Sequence, residues 1–304
     1  MGRLAHKTIG DIDLIGFSLA GEESVVAAPQ HNVCFDVGRA PCEIISIDNV
    51  CISHGHMDHA AGVAYYLSQR NFVGNAPGRV IIHRDLAQYI QKLMDVWSDI
   101  EGHPSPGQVL GVEPLEDVAI RRDLIVRSFT VNHSASALGY AIIESRHKLK
   151  EEFQGKSGPQ LVELKRRGIE IERHVEVPLV TYTGDTAIGR WMDLDFVRST
   201  RVLIVECTFF DREHVNRARE GRHIHVNELQ RVLDAAPEAQ VVLTHVTRRT
   251  DLRRAKRILE RTINPADLDR TSFLMERPPR GHAPPRSPDG ETRPNRSSIP
   301  AASE

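Results

Sequence analysis

Apolar positions in the first fifty residues recur in short β-prone runs, TIGDIDLIGFSLA, ESVVAAP and HNVCFDVG, parted by Gly, Glu-Glu and Pro-Gln-His and followed by NVCISHGH. Such runs broken by turn formers predict a hairpin-rich sheet. Helical periodicity then takes over from about Asp58 to Arg70 and from Arg84 to Ser98, where Leu86, Ile90, Leu93 and Trp97 step by four, three and four. A stripe of that spacing predicts helices that cover one sheet face. The theme repeats downstream. LIVRSFTVNH, ALGYAIIE, VPLVTYTGD, RVLIVECTFF and AQVVLTH read as strands, with helices over Val226–Ala235 and the Arg-rich Asp251–Arg261. Most of these strands end in a polar residue, which predicts a site along one edge of two sheets. The expected architecture is α/β, one four-layer domain of helix, sheet, sheet and helix over about residues 1–276. From Arg277 the chain is dense in Pro, Gly, Ser and Arg, and 277–304 is expected to be a disordered tail.

Composition narrows the class. With 40% hydrophobic residues in 304, the chain can build a core, which excludes disorder throughout. Charges, Gly or Pro interrupt every apolar run well before the ~18 residues of a membrane span, and the start MGRLAHKTIGDIDLIG has no apolar signal core, so a cytoplasmic location is expected. Cys34, Cys42, Cys51 and Cys207 show neither a disulfide framework nor zinc-finger spacing. No Walker or Rossmann glycine pattern occurs. The unusual number is 15 histidines.

Their densest run is Ser53-His54-Gly55-His56-Met57-Asp58-His59, after the apolar NVCI and before the helical AAGVAYYL. Three imidazoles and a carboxylate cannot share one helix face, but a strand-end loop running into a helix can converge them. Imidazole nitrogen and carboxylate oxygen suit zinc, and Mn or Fe also accept this donor set. Further donors stand at downstream strand ends: His133, Asp185 and His245. Together they offer seven ligands, enough for two ions if Asp185 is shared. His83, His103, His147, His174 and His214 lie outside this pattern and read as surface or structural residues.

The order His54-x-His56-x-Asp58-His59, then His133, Asp185 and His245, resembles the binuclear metallo-β-lactamase superfamily over nearly all of residues 1–262. The resemblance implies an αββα sandwich with two zinc ions: one on His54, His56 and His133, the other on Asp58, His59 and His245, with Asp185 between them. Within the superfamily, Glu206-Cys207-Thr208-Phe209 resembles the His-Glu-Ala-Thr-Phe segment of ribonuclease Z, with Val205 for His and Cys207 for Ala. Gly221-Arg222-His223-Ile224-His225 and the later LTHVTRR resemble the catalytic-histidine and Leu-Thr-His segments of the short, plant-like form. Counting back from His245 puts His223 at the catalytic position, with His225 second.

The segment between His133 and Asp185 also resembles that form, and between Arg146 and Arg173 it holds eight Lys/Arg against five Glu. A basic patch beside a metal site can track phosphates, and TRRTDLRRAKRILER adds a second. No long Gly/Pro-rich insertion of the kind that forms the bacterial tRNA-clamping arm is present. The resemblance implies a phosphodiesterase or endoribonuclease of tRNA 3′ processing, homodimeric, in which metal-activated hydroxide attacks phosphorus. Asp58 would orient the water, and His223, supported by Glu206, would protonate the leaving 3′ oxygen. A net charge of −2 fits a rival equally placed on this fold, a hydrolase of a small thioester, lactone or phosphodiester. A non-catalytic binding protein would have lost ligands, and all seven are present.

Overall fold

The computed structural model describes residues 4–276, so the expected tail lies outside the described residues. Two sheets stack face to face. The first holds, in spatial order, β1 (Ala5–Ile9), β2 (Ile12–Ala20), β3 (Glu23–Ala28), β4 (Val33–Phe35), β5 (Asn49–Cys51), β6 (Gly78–His83) and β7 (Gly107–Val112), antiparallel up to β4 and parallel from there on. The second runs β8 (Asp117–Arg121), β9 (Leu124–Thr130), β10 (Leu138–Leu149), β11 (Glu172–Tyr182), β12 (Val202–Glu206), β13 (Gln240–Thr244) and β15 (Thr271–Phe273), antiparallel up to β11 and then parallel. The two-residue β14 (Val246–Thr247) crosses over to pair with Leu19–Ala20 of β2 and ties the sheets together.

The central strands read as continuous apolar runs because both of their faces are covered. In β3, Val26 and Ala28 face the second sheet while Val25 and Ala27 face helices; in β12, Val202 and Ile204 face inward while Leu203 and Val205 face outward. The outer layer of the first sheet is α1 (Met57–Ala60), α2 (Val63–Phe72) and α3 (Arg84–Glu101). At the tip of the β10–β11 hairpin, which outruns the buried sheet, sits α4 (Gly158–Arg166). On the second sheet lie α5 (Asp195–Arg198), α7 (Val226–Ala235) and α8 (Leu252–Thr262), with the short α6 (Val215–Gly221) and α9 (Pro265–Leu268) beside them. The result is the expected four-layer αββα sandwich.

Three expectations change in detail. The helix read from Asp58 to Arg70 is two helices, because Gly62 packs against the backbone after β4: a Cβ there would lie 2.5 Å from Ala40 N and 2.8 Å from Gly38 O. The stripe on α3 is shifted. Leu86, Ala87, Ile90 and Met94 face the sheet, while Leu93 and Trp97 are 38% and 41% exposed. The steps of four and three fit either of two adjacent helix rows, and the sheet takes the one containing Met94. α8 starts one residue late because the carboxylate of Asp251 caps it, accepting from Arg254 N at 3.0 Å.

One buried cation secures the seam under α2. Arg70, 1% exposed, donates to the carbonyls of Ile45, Ile47 and Ala76 and pairs with Asp48 at 2.5 Å. Tyr66 Oη also donates to Ile47 O and Asn75 Nδ2 to Ile45 O, but the guanidinium alone joins these carbonyls to Ala76 O and Asp48, so replacing it removes several buried hydrogen bonds at once. Arg70→Met should lower stability by roughly 2–4 kcal/mol, read as a drop in the denaturant midpoint; a midpoint equal to wild type would show that the loop holds without this pin.

Candidate metal centre

The candidate ligands converge because parallel strands of both sheets end at the same edge. His54 to His59 follow β5, Asp185 follows β11 and His245 follows β13, while His133 leaves the antiparallel β9. Carboxyl ends of parallel strands open a crevice into which loops can project side chains. Close approach needs a glycine at one point: Gly184 has φ +60°, and a Cβ on it would lie 2.6 Å from Ser53 Cβ. His245 itself takes φ +58°, the sharp turn that separates β13 from β14.

Three groups form among the described residues, each with its potential ligand atoms within 4.8 Å of one another: Asp185, His223 and His245 are one, and the two clusters that hold the expected ligands are His54, His56, His133 and Asp185, and Asp58, His59 and His245. Asp185 faces both. Its Oδ2 lies 3.7 Å from His54 Nε2, and its Oδ1 lies 3.4 Å from His59 Nε2 and from His245 Nε2. The other ring nitrogens are tied to protein: His54 Nδ1 lies 3.0 Å from Ser53 Oγ, His59 Nδ1 2.7 Å from Asp36 Oδ2 and His245 Nδ1 3.0 Å from Thr208 Oγ1. His133 faces Arg222 O with Nδ1 at 3.4 Å, and its buried Nε2 has no hydrogen-bond partner. Imidazoles held at one nitrogen with the other aimed at carboxylates are what divalent-cation binding requires. The donor set fits such ions.

Protonation follows the same geometry. Burial, reinforced by the charge of His59, pushes His54 well below the usual imidazole range, so it is neutral. Burial works to raise Asp58 and Asp185, but the hydrogen bond from His245 and the charge of His59 prevail at Asp58, and the charges of His245 and His59 prevail at Asp185; both stay well below the usual carboxylate range. His59 is the contrast. Burial lowers it, yet Asp185 and Asp36 outweigh burial and hold it well above its ordinary value. At its Nε2 a proton and a dication compete for one lone pair, and the same carboxylates favour either.

Asp36 does not stand out in the sequence pattern. It has no exposed surface and sits just after β4 at φ +54°, accepting from Ser53 N at 2.7 Å, Ser53 Oγ at 2.9 Å and Tyr182 Oη at 2.7 Å besides holding His59. The one signal for it is its place at the end of the apolar run NVCF, the same strand-end position as the other polar site residues.

Glu206, also without exposed surface, accepts from Thr186 N at 2.7 Å, Ile224 N at 3.2 Å and Thr208 Oγ1 at 2.5 Å, and meets His223 Nδ1 at 2.7 Å. Burial lowers His223, but Glu206 overrides it and pushes the imidazole up to about 9. The His223 ring stacks at 5.4 Å on that of His245. His225 points elsewhere. It caps α7, its Nδ1 accepting from Asn227 N at 3.2 Å and its Nε2 donating to Asp211 O at 3.0 Å. Outside the cluster, His83 caps α3 by accepting from Asp85 N at 3.2 Å, and His147 faces His174 across the projecting hairpin. Because Asp36 holds His59 Nδ1, Asp36→Asn should weaken divalent-metal binding by about 10–100-fold in a chelator competition; wild-type affinity would remove that role.

The description "beta-lactamase superfamily domain" belongs to the family whose model matches residues 27–246. The chain is 31% identical over 238 residues to tRNase Z TRZ1 of Arabidopsis thaliana, covering 77% of this chain and 85% of that one. It is 30% identical over 244 residues to the chloroplastic tRNase Z TRZ2 of the same plant, covering 77% and 67%. Among solved structures, human tRNase Z, short form (ELAC1), shares the fold with a TM-score of 0.55 at 15% identity, over 77% of this chain and 91% of that one. With its ligand clusters, its sandwich and these relatives, the chain belongs to the metallo-β-lactamase superfamily, in the ribonuclease Z family of metal-dependent hydrolases.

Proposed function

We propose that the chain is a two-zinc endoribonuclease that trims the 3′ ends of tRNA precursors. Its relatives carry the names tRNase Z and Ribonuclease Z, and the observation that carries the reading is the His223–Glu206 pair at 2.7 Å beside the ligand clusters. A thiolate leaves without a proton; the 3′ alkoxide of a ribose needs one, so a positioned proton donor favours a phosphodiester over a thioester. His54, His56 and His133 would hold one ion, and Asp58, His59 and His245 the other, with Asp185 shared. Such ions supply a nucleophile at neutral pH and offset charge on the phosphoryl oxygens.

The chain's own residues do the rest. Asp58, anchored by Gly21 N at 2.9 Å and partly exposed, orients the attacking water and takes its proton. His223 donates to the leaving oxygen while Glu206 holds its Nδ1. Lys and Arg of the β10–β11 projection and of α8 supply positive surface for the RNA backbone.

Assembly into a homodimer belongs to the same reading. Tyr89, Val96, Trp97 and Ile100 of α3, with Tyr65 and Phe72 of α2, are exposed, and a second copy would cover them.

Zinc-loaded protein should cleave both a 3′-extended tRNA precursor and bis(p-nitrophenyl) phosphate. On the precursor, His223→Ala should keep its zinc and lose roughly 10²–10⁴-fold in turnover, whereas Asp185→Ala should lose zinc as well. Cleavage of the small diester alone would favour a small-molecule hydrolase, and inertness on both would overturn the reading. In light scattering, wild type should run as a dimer and Trp97→Glu as a monomer; a monomeric wild type contradicts the pairing.

A further inference from the structure

We infer that the cleft beside His223 receives the nucleotide on the 5′ side of the scissile bond, and that Arg222, with Arg219, holds the phosphate of that nucleotide. The inference rests on the proposed hydrolysis of RNA and follows from where the proton goes. The water oxygen joins phosphorus as its proton passes to Asp58. The bond from phosphorus to the 3′ oxygen breaks, and the proton of His223 passes to that oxygen, leaving a 3′ hydroxyl on one strand and a 5′ phosphate on the other. The strand that keeps the hydroxyl therefore lies on the His223 side of the clusters.

On that side opens a cleft of about 470 Å³ whose walls include Ile188, Arg219, Arg222, His223 and Glu228. Arg219 stands in the last turn of α6, and Arg222 follows that helix directly, so both residues border the same space. Glu228 is the carboxylate on the wall. It accepts from His225 N at 3.5 Å at the start of α7, and its one negative charge is outweighed by the two arginines, which set the sign of the cleft. Ile188 offers an apolar surface for a base or ribose.

Arg222 is also in an unusual backbone state. Its φ is +53°, the left-handed conformation that disfavours residues with a Cβ. The side chain gives a reason for an arginine where glycine would sit more easily. Nη1 donates to His133 O at 2.5 Å, which holds the guanidinium beside a candidate metal ligand. A guanidinium has five donors, and the residue is exposed and lines the cleft, so the group can bind a phosphate while it rests on His133. Arginine is suited to this because its planar fork matches two phosphoryl oxygens.

Arg222→Gly suits the test, because glycine accepts the positive φ and the fold is not put at risk. Binding of a short single-stranded RNA ending in a 3′ hydroxyl, measured by fluorescence anisotropy, should weaken about 10-fold in this variant, with the salt dependence reduced by about one ion. The loss in kcat/KM should be at least about tenfold larger on an RNA substrate than on bis(p-nitrophenyl) phosphate, which has no 5′ nucleotide, and Arg222→Lys should restore part of it. A neutral methylphosphonate in place of the phosphate 5′ to the scissile one should erase the difference between wild type and Arg222→Gly. Equal losses on the two substrates would mean that Arg222 acts only through His133 and would overturn the inference, as would wild-type RNA affinity and salt dependence. A wild type that binds RNA through Arg222 yet cleaves neither substrate would overturn the hydrolytic reading and leave the subsite standing.

Discussion

A carboxylate with no exposed surface is costly unless its lone pairs find donors, and the way Asp36 finds them determines how the two sheets meet. Ser53 N, Ser53 Oγ and His59 come from the loop after β5 in the first sheet; Tyr182 Oη comes from the end of β11 in the second. Satisfying this one group therefore brings the histidine-bearing loop against the strand that delivers Asp185. Glu206 repeats the device across the clusters, gathering Thr186, Thr208, Ile224 and His223. The two buried acids have different tasks. Asp36 orients a candidate metal ligand, and Glu206 orients the group proposed to move a proton.

Fold alone says little about chemistry, since one sandwich can carry many reactions. The discrimination comes from what surrounds the clusters. The segment from Arg222 to His225 makes three different uses of its polar residues: Arg222 reaches back to His133, His223 turns to Glu206, and His225 caps α7. The left-handed residue at Arg222 sets these directions, because it ends α6 and redirects the chain before α7 begins. A small change in that turn would move His223, the proposed proton donor, relative to both clusters.

The ligand run is legible because four donors crowded into six residues at a strand end repel or waste one another unless a cation gathers them, and the downstream donors stand at the ends of apolar runs. The buried strands of the second sheet are legible because cover on both faces makes them continuously apolar. Asp36 is not, because a single Asp before a glycine-containing turn reads as an ordinary surface residue; its burial is created by Tyr182 and Ser53, distant in sequence. The break at Gly62 depends on a backbone contact with Gly38–Ala40 that no local pattern encodes. The row of α3 that meets the sheet is likewise a tertiary choice, since an apolar arc this wide leaves two rows eligible. Spacing alone also leaves His223 and His225 both open, and the cap of α7 is what distinguishes their geometry.

The central claim is that His223 delivers a proton to the leaving 3′ oxygen. The most direct measurement compares single-turnover cleavage by wild type and His223→Ala of an ordinary RNA phosphodiester and of one whose bridging 3′ oxygen is replaced by sulfur. A thiolate leaves without protonation. The account predicts that the defect of His223→Ala, large on the oxygen substrate, all but disappears on the sulfur substrate. An equal defect on both would contradict it and would place His223 in binding or metal positioning instead.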